Sequence, residues 1–275
     1  MKIWVIGKKG MLGSWFCKIL SEKSIEFIAT DRNQVDLQNF DQISNFLNTY
    51  KPTHIINCAA YTNVEKAEED KQKAFNANCH GVKNLAQASK KVKLIHFSTD
   101  YVFGGEKLKP YKEDDPVNPI NVYGQSKLDG ESELFKNHDR ALCLRISWLF
   151  GAKNDFVSKM RSLFQSKEKL SIVSDQVGCP TYAKEVVLTT LDLIDEKGLF
   201  HFSSSGFCSW YEFAKFILES EKKPTLCKSI EPILTKNFPT KAKRPLYSVL
   251  DLSKIRKTGI KPRPWQSGVE EFING

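Results

Sequence analysis

The sequence predicts an α/β protein built on a doubly wound, Rossmann-type parallel sheet, with a smaller C-terminal substrate-binding lobe. Two observations carry the sheet. Short apolar runs alternate with amphipathic stretches through the first 150 residues, the pattern of strands joined by helical crossovers. The first run, KIWVI, also stops at Gly7, where Gly7, Gly10 and Gly13 give GxxGxxG at the opening of the first helix. A third observation carries the lobe. Beyond residue 150 the alternation loosens and prolines accumulate, six of them after Lys222. The expected organisation is a dinucleotide-binding domain over 1–150 and a mixed region over 151–275 that completes the sheet and forms the lobe.

Residues 2–6 read as the first strand, and Met11, Leu12, Trp15, Phe16, Ile19 and Leu20 follow at helical spacing. Ile25 to Ala29 is a second strand ending at Asp31. A helical pattern (Ile43, Phe46, Leu47, Tyr50) leads to Pro52 and a third strand, His54 to Ala59. Leu85, Ala86 and Ala88 belong to a helix, Val92 to Phe97 to a fourth strand, Tyr123 to Phe135 to a helix, and Ala141 to Ile146 to a fifth strand. Later elements are a helix near Asp155 to Gln165, a strand near Leu170 to Val173 and a helix near Lys184 to Leu193.

Composition limits the function. With 275 residues, 41% hydrophobic and 27% charged, the chain can bury a large core, which excludes disordered and collagen-like classes. No apolar run reaches the ~18 residues of a membrane span, and Gly7 interrupts the first run before a signal-peptide core forms. A cytoplasmic protein without a membrane partner is expected. Seven scattered cysteines with no CxxC pair imply reduced thiols, and five isolated histidines give no ligand set, so no metal is expected. The net charge of +9 is concentrated between Lys222 and Arg263, where twelve basic residues face two acidic ones, Glu231 and Asp251. Such a segment is either a solvated face or a field for an anion such as a nucleotide diphosphate; it does not require a nucleic-acid polymer.

Two constellations carry chemistry. Glycines after a first strand let the backbone approach a pyrophosphate at the positive end of a helix. Asp31, about twenty residues on, can accept from an adenosine ribose, which favours NADH. Arg32, with Lys8 and Lys9, offers positive charge to a 2′-phosphate, which favours NADPH. The second constellation is Ser98, Thr99, Asp100 and Tyr101 at the end of the fourth strand, with Tyr123 and Lys127 as YGQSK. Spacing of i and i+4 puts Tyr123 and Lys127 on one helix face, and an ammonium beside the phenol is expected to lower its pKa from ~10.

This combination resembles the extended short-chain dehydrogenase/reductase family. The segments NCAAYTNVEKAE, FSTDYVFGG, NVYGQSK, RISWLFG and SDQVGCPT, with a late Arg244-Pro245, are similar in order to the branch that reduces the 4-keto group of dTDP-4-dehydro-L-rhamnose to dTDP-L-rhamnose. The resemblance implies an oxidoreductase using NADPH or NADH. It implies that Gly7, Gly10, Met11, Leu12, Gly13, Asp31, Arg32, Asp36, Leu37, Ala59, Ala60, Tyr61, Tyr123 and Lys127 surround the dinucleotide. Thr99, Tyr123 and Lys127 become the catalytic set, and Thr99, Asp100, Tyr123, Trp148 and Arg244 the contacts to a nucleotide sugar. Bulky Leu246 and Tyr247 depart from the branch. A reductase of another nucleotide-activated keto sugar, a non-enzymatic subunit like the regulatory beta subunit of methionine adenosyltransferase, and a homodimer all stay open.

Overall fold

In the computed structural model, which describes residues 1–275, β1 (Lys2–Ile6) shows how one strand serves two layers. Successive side chains point to opposite faces, so Ile3 and Val5 enter one hydrophobic cluster while Trp4 and Ile6 enter another. All four are buried. The chain then alternates through α1 (Met11–Glu22), β2 (Glu26–Thr30), α2 (Phe40–Tyr50) and β3 (His54–Asn57). Short α3 (Val64–Ala67) and α4 (Lys71–Phe75) follow, and a π turn over Asn76–His80 joins α4 to α5 (Gly81–Ala88). Next come β4 (Lys93–Thr99), α6 (Val122–Asn137) and β5 (Leu142–Ile146).

The third strand is shorter than its apolar run because the Asn57 side chain accepts the Ala59 N–H at 3.1 Å and turns the chain.

The later half holds β6 (Leu149–Phe150), α7 (Phe156–Phe164), β7 (Lys169–Val173), β8 (Val177–Gly178), β9 (Thr181–Tyr182), α8 (Ala183–Asp192) and β10 (Gly198–Phe202). It ends with β11 (Cys208–Ser209), α9 (Trp210–Glu219), β12 (Ser229–Ile233), α10 (Ser253–Arg256) and α11 (Trp265–Asn274). The main sheet has the order β2-β1-β3-β4-β5-β10 with every pair parallel. Its sixth strand therefore comes from beyond residue 150. The pairs β8–β11, β7–β12 and β6–β9 form small sheets around a third cluster rich in aromatics, with Phe150, Phe164, Phe213 and Trp265 at its centre. No helix is long and apolar enough to cross a membrane.

Candidate active site

Strand order reverses between β1 and β3, and in open parallel sheets this switch point opens a crevice beyond the carboxyl ends. A cavity of about 420 Å³ lies there. Gly10, Met11 and Leu12 line it from the turn after β1, Asn57 to Ala60 from β3 and its following loop, and Phe97 to Tyr101 from the end of β4 and the turn after it. Tyr123 and Lys127 enter from α6, and Ile146 to Leu149 from the end of β5. Trp210 enters from the start of α9, so six separate sequence segments meet in one space.

The turn after β1 fits a dinucleotide pyrophosphate. Gly7 has φ +85°, and a Cβ on Gly13 would stand 2.1 Å from the Gly7 carbonyl oxygen, so neither position accepts a side chain. Gly10 caps α1 without a side-chain hydrogen bond, and no acidic residue occupies the first turn. The helix therefore presents unsatisfied N–H groups and its positive end to the cavity. The buried Ser98 hydroxyl, also in the lining, has no hydrogen-bond partner. Gly7 and Gly13 sit behind the turn, and Leu37 is buried in a hydrophobic cluster. The Tyr61 hydroxyl donates to Asp70 at 3.0 Å, and its N–H donates to Asn78 at 2.8 Å.

After β2 the four charges pair with their own neighbours. Lys9 meets Asp31 at 2.6 Å and Arg32 meets Asp36 at 3.2 Å. The Lys9 hydrogen bond holds the Asp31 carboxyl below its ordinary value. Lys8 donates to Gln34 at 2.6 Å.

On α6, Asn121 accepts the Gly124 N–H at 2.7 Å and fixes the start of the helix, which aims Tyr123 and Lys127 into the cavity. The expected lowering of the phenol does not occur. The Lys127 side chain runs past Tyr123 to the β4 backbone, where Nζ donates to the Phe97 carbonyl at 2.6 Å and lies 3.3 Å from His96 Nε2. Burial instead pushes Tyr123 up to about 12, with the Thr99 hydroxyl opposing the rise and the Asp100 charge adding to it. Burial also brings Lys127 down to about 8. A phenol in this state keeps its proton at neutral pH, which suits a donor.

Asp100 is 2% exposed and lies beneath Thr99. Its carboxylate accepts the Thr99 hydroxyl at 3.1 Å and the Ser147 hydroxyl at 2.9 Å, with Ser248 a third partner. Burial raises it to about 6 against these bonds.

A second cavity of about 720 Å³ adjoins the first through Val64, Tyr101 and Trp210. Phe156, Met160 and Phe238 make it apolar, while Lys159, Lys167, Lys169 and Arg244 stand in its wall. Trp148 lines the first cavity, and its ring stacks on Trp210 at 3.6 Å with planes 6° apart. Arg244 pairs with Glu65 of α3 at 2.7 Å and stands by the Tyr101 phenol.

Elsewhere in the basic segment Lys228 meets Glu168 at 2.9 Å, Arg263 meets Glu185 at 2.5 Å, and Lys241 pairs with Glu69. Acids brought in by the fold thus answer several of its cations, and the field is weaker than the residue count implies. Sequence reading did not single out Trp210, Glu65, Ser147, Ser248, Asn57 or His96 for this region. Asn57, Glu65 and Ser147 lie inside the quoted segments NCAAYTNVEKAE and RISWLFG without a role read for them, while His96, Trp210 and Ser248 stand in none, and only the fold brings them to the site.

Residues 1–275 match the model of the RmlD substrate binding domain family. The chain is similar to spore coat polysaccharide biosynthesis protein SpsK of Bacillus subtilis (strain 168), 35% identical over 276 residues that cover 99% of this chain and 96% of that one. The crystal structure of a dTDP-4-dehydrorhamnose reductase from Clostridium acetobutylicum ATCC 824 matches with a TM-score of 0.96 and 38% identity, covering 100% of this chain and 99% of that one. The dTDP-4-dehydrorhamnose reductase of Bacillus anthracis str. Ames, solved in complex with NADP, matches with a TM-score of 0.95 and 34% identity, covering 99% of this chain and 98% of that one.

Proposed function

The chain belongs to the RmlD substrate binding domain family, and on that premise we propose that it reduces the 4-keto group of dTDP-4-dehydro-L-rhamnose to dTDP-L-rhamnose with NADPH or NADH. The observation that carries this reading is the meeting of Thr99, Tyr123 and Lys127 in one cavity with the uncapped start of α1.

When bound, the reduced dinucleotide supplies the hydride. The start of α1 binds its pyrophosphate, and Asp31, Arg32 and Asp36 face its adenosine end. Lys127, tethered to the Phe97 carbonyl, holds the nicotinamide end in register with Tyr123. Tyr123 keeps its proton until the substrate oxygen gains charge and then donates it, a role worth ~10²-fold to 10⁴-fold in rate. Thr99 fixes the carbonyl oxygen beside that phenol.

The adjoining apolar cavity takes the nucleotide. Trp148, braced by Trp210, offers a flat face to the sugar, while Arg244 and the wall lysines attract the diphosphate. Residues 1–150 carry the dinucleotide contacts together with Thr99, Asp100, Tyr123 and Trp148 for the sugar, and 151–275 adds Arg244, Trp210 and the wall lysines of the second cavity. A biosynthetic reductase of this kind works in the cytoplasm, where both dinucleotides are available.

The test is NADPH consumption with dTDP-4-dehydro-L-rhamnose and identification of the product sugar. Turnover giving dTDP-L-rhamnose is the expected result. Faster turnover of another nucleotide-activated keto sugar would reassign the substrate, and no turnover of any keto sugar would overturn the reading.

A further inference from the structure

Behind Lys127 lies a buried chain of three side chains, Asn57, His96 and Lys127, each 1–2% exposed. Its donors can be assigned one by one. The Asn57 amide oxygen accepts the Ala59 backbone N–H at 3.1 Å, which fixes the amide so that its NH₂ faces His96 Nδ1, 3.2 Å away. An NH₂ can only donate, so Nδ1 is the unprotonated nitrogen of the neutral ring. The ring proton then sits on Nε2, and Nε2 faces Lys127 Nζ at 3.3 Å. An uncharged amine at Nζ can give one proton to the Phe97 carbonyl at 2.6 Å and receive the Nε2–H on its lone pair. An ammonium has no lone pair and would set two donors against each other.

We propose that His96, locked by Asn57 into the Nε2–H tautomer, is a positioning residue that opposes the charged form of Lys127 and so sets where this lysine titrates. The proposal rests on the reading that Lys127 belongs to the reacting set, and it adds a residue on β4 that governs the lysine's proton. Burial of Lys127 and of His96 acts in the same direction, and the imidazole itself is held neutral well below its ordinary range. The other titratable groups facing Lys127 are Glu131 on its own helix and Cys143 on β5, both of which favour the ammonium. Tyr123 lies one turn earlier on the same helix.

Two measurements on the protein without substrate or dinucleotide test this independently of turnover. Nitrogen-15 NMR of labelled histidine reads the tautomer directly, and the His96 signal is expected as Nε2–H. Carbon-13 NMR of lysine Cε, assigned with Lys127→Arg, follows the Lys127 titration. His96→Gln, which can turn an amide oxygen toward Nζ, is expected to raise its midpoint by about half a unit or more, with the alkaline limb of kcat moving by the same amount.

An Nδ1–H tautomer, or a Lys127 midpoint unmoved by His96→Gln, would overturn the proposal. If His96→Gln does not fold, the tautomer of the parent protein decides alone. Failure of the reductase reading would show separately, as a parent protein with the expected tautomer and midpoint that turns over no keto sugar.

Discussion

The Thr99 hydroxyl donates to the Asp100 carboxylate at 3.1 Å, and its oxygen accepts the Tyr101 N–H at 3.2 Å. A hydroxyl has one proton. While Asp100 is ionised that proton goes to the carboxylate, and Thr99 can offer it to Tyr123 or to a carbonyl oxygen beside the phenol only by giving up this bond.

The same carboxyl gives a stability prediction with a definite sign. Its folded-state value is raised from 3.8 to about 6 by burial, so its contribution is fully present below 3.8 and is lost as pH rises through 6. The loss is about 3 kcal/mol. Asp100→Asn removes the titration, and the difference in unfolding free energy between parent and variant should therefore change between pH 4 and pH 7. Denaturation curves with a pH-independent difference would show that Asp100 does not titrate in this range.

Tyr123→Phe deletes the phenolic proton while leaving the ring in place. Turnover should fall ~10²-fold or more, and dinucleotide affinity, measured by calorimetry, should stay within a few-fold. Turnover close to that of the parent would take the proton donor elsewhere.

On the proposed reading, cofactor choice follows from the paired charges after β2. Asp31 repels a 2′-phosphate, but Lys9 already answers its charge; Arg32 attracts one, but Asp36 already answers that. Charged contacts of this kind are worth about 1–3 kcal/mol, so opposed pairs leave a preference below ~100-fold, on the NADPH side. Arg32→Ala should move the ratio of kcat/KM values toward NADH. Lys9→Ala should do the same by freeing the Asp31 charge, while Asp31→Ala should move it toward NADPH. A ratio constant across all three variants would remove these residues from the choice.

Arg244→Ala should raise KM for the nucleotide sugar ~10-fold to 100-fold through loss of a charge-assisted contact. It should leave dinucleotide affinity unchanged, because Arg244 lines the second cavity and not the first. Equal weakening of both ligands would contradict the separation of the two spaces.

Much of the first half was legible because its signals are local. A strand, a glycine turn and a helix start follow one another within residues 2–22, and Tyr123 and Lys127 share a helix face by spacing alone. The direction of the Lys127 side chain was not legible. Spacing placed it beside the phenol, and only the packing of α6 on β4 shows the Phe97 carbonyl drawing the side chain away. The Trp148–Trp210 stack was hidden for a similar reason. Trp148 attracted attention through its motif, while Trp210 opens α9 far along the chain and has meaning only once the lobe is folded. The Arg244–Glu65 pair likewise joins opposite ends of the sequence.

The position of β10 bears on how the chain can be handled and how it fails. The proposed division of ligand duties near residue 150 runs straight through the ladder that binds β10 to β5, from Gly198 opposite Leu142 to Phe202 opposite Ile146. A chain released at residue 150 would carry β5 as a bare margin, with a row of unanswered amides and carbonyls flanked by the apolar side chains of Leu142, Cys143 and Leu144. Such a margin recruits strands from other molecules. Nascent or proteolysed fragments lacking the last 125 residues would therefore clump before they could bind a dinucleotide, so losing the second half costs both duties.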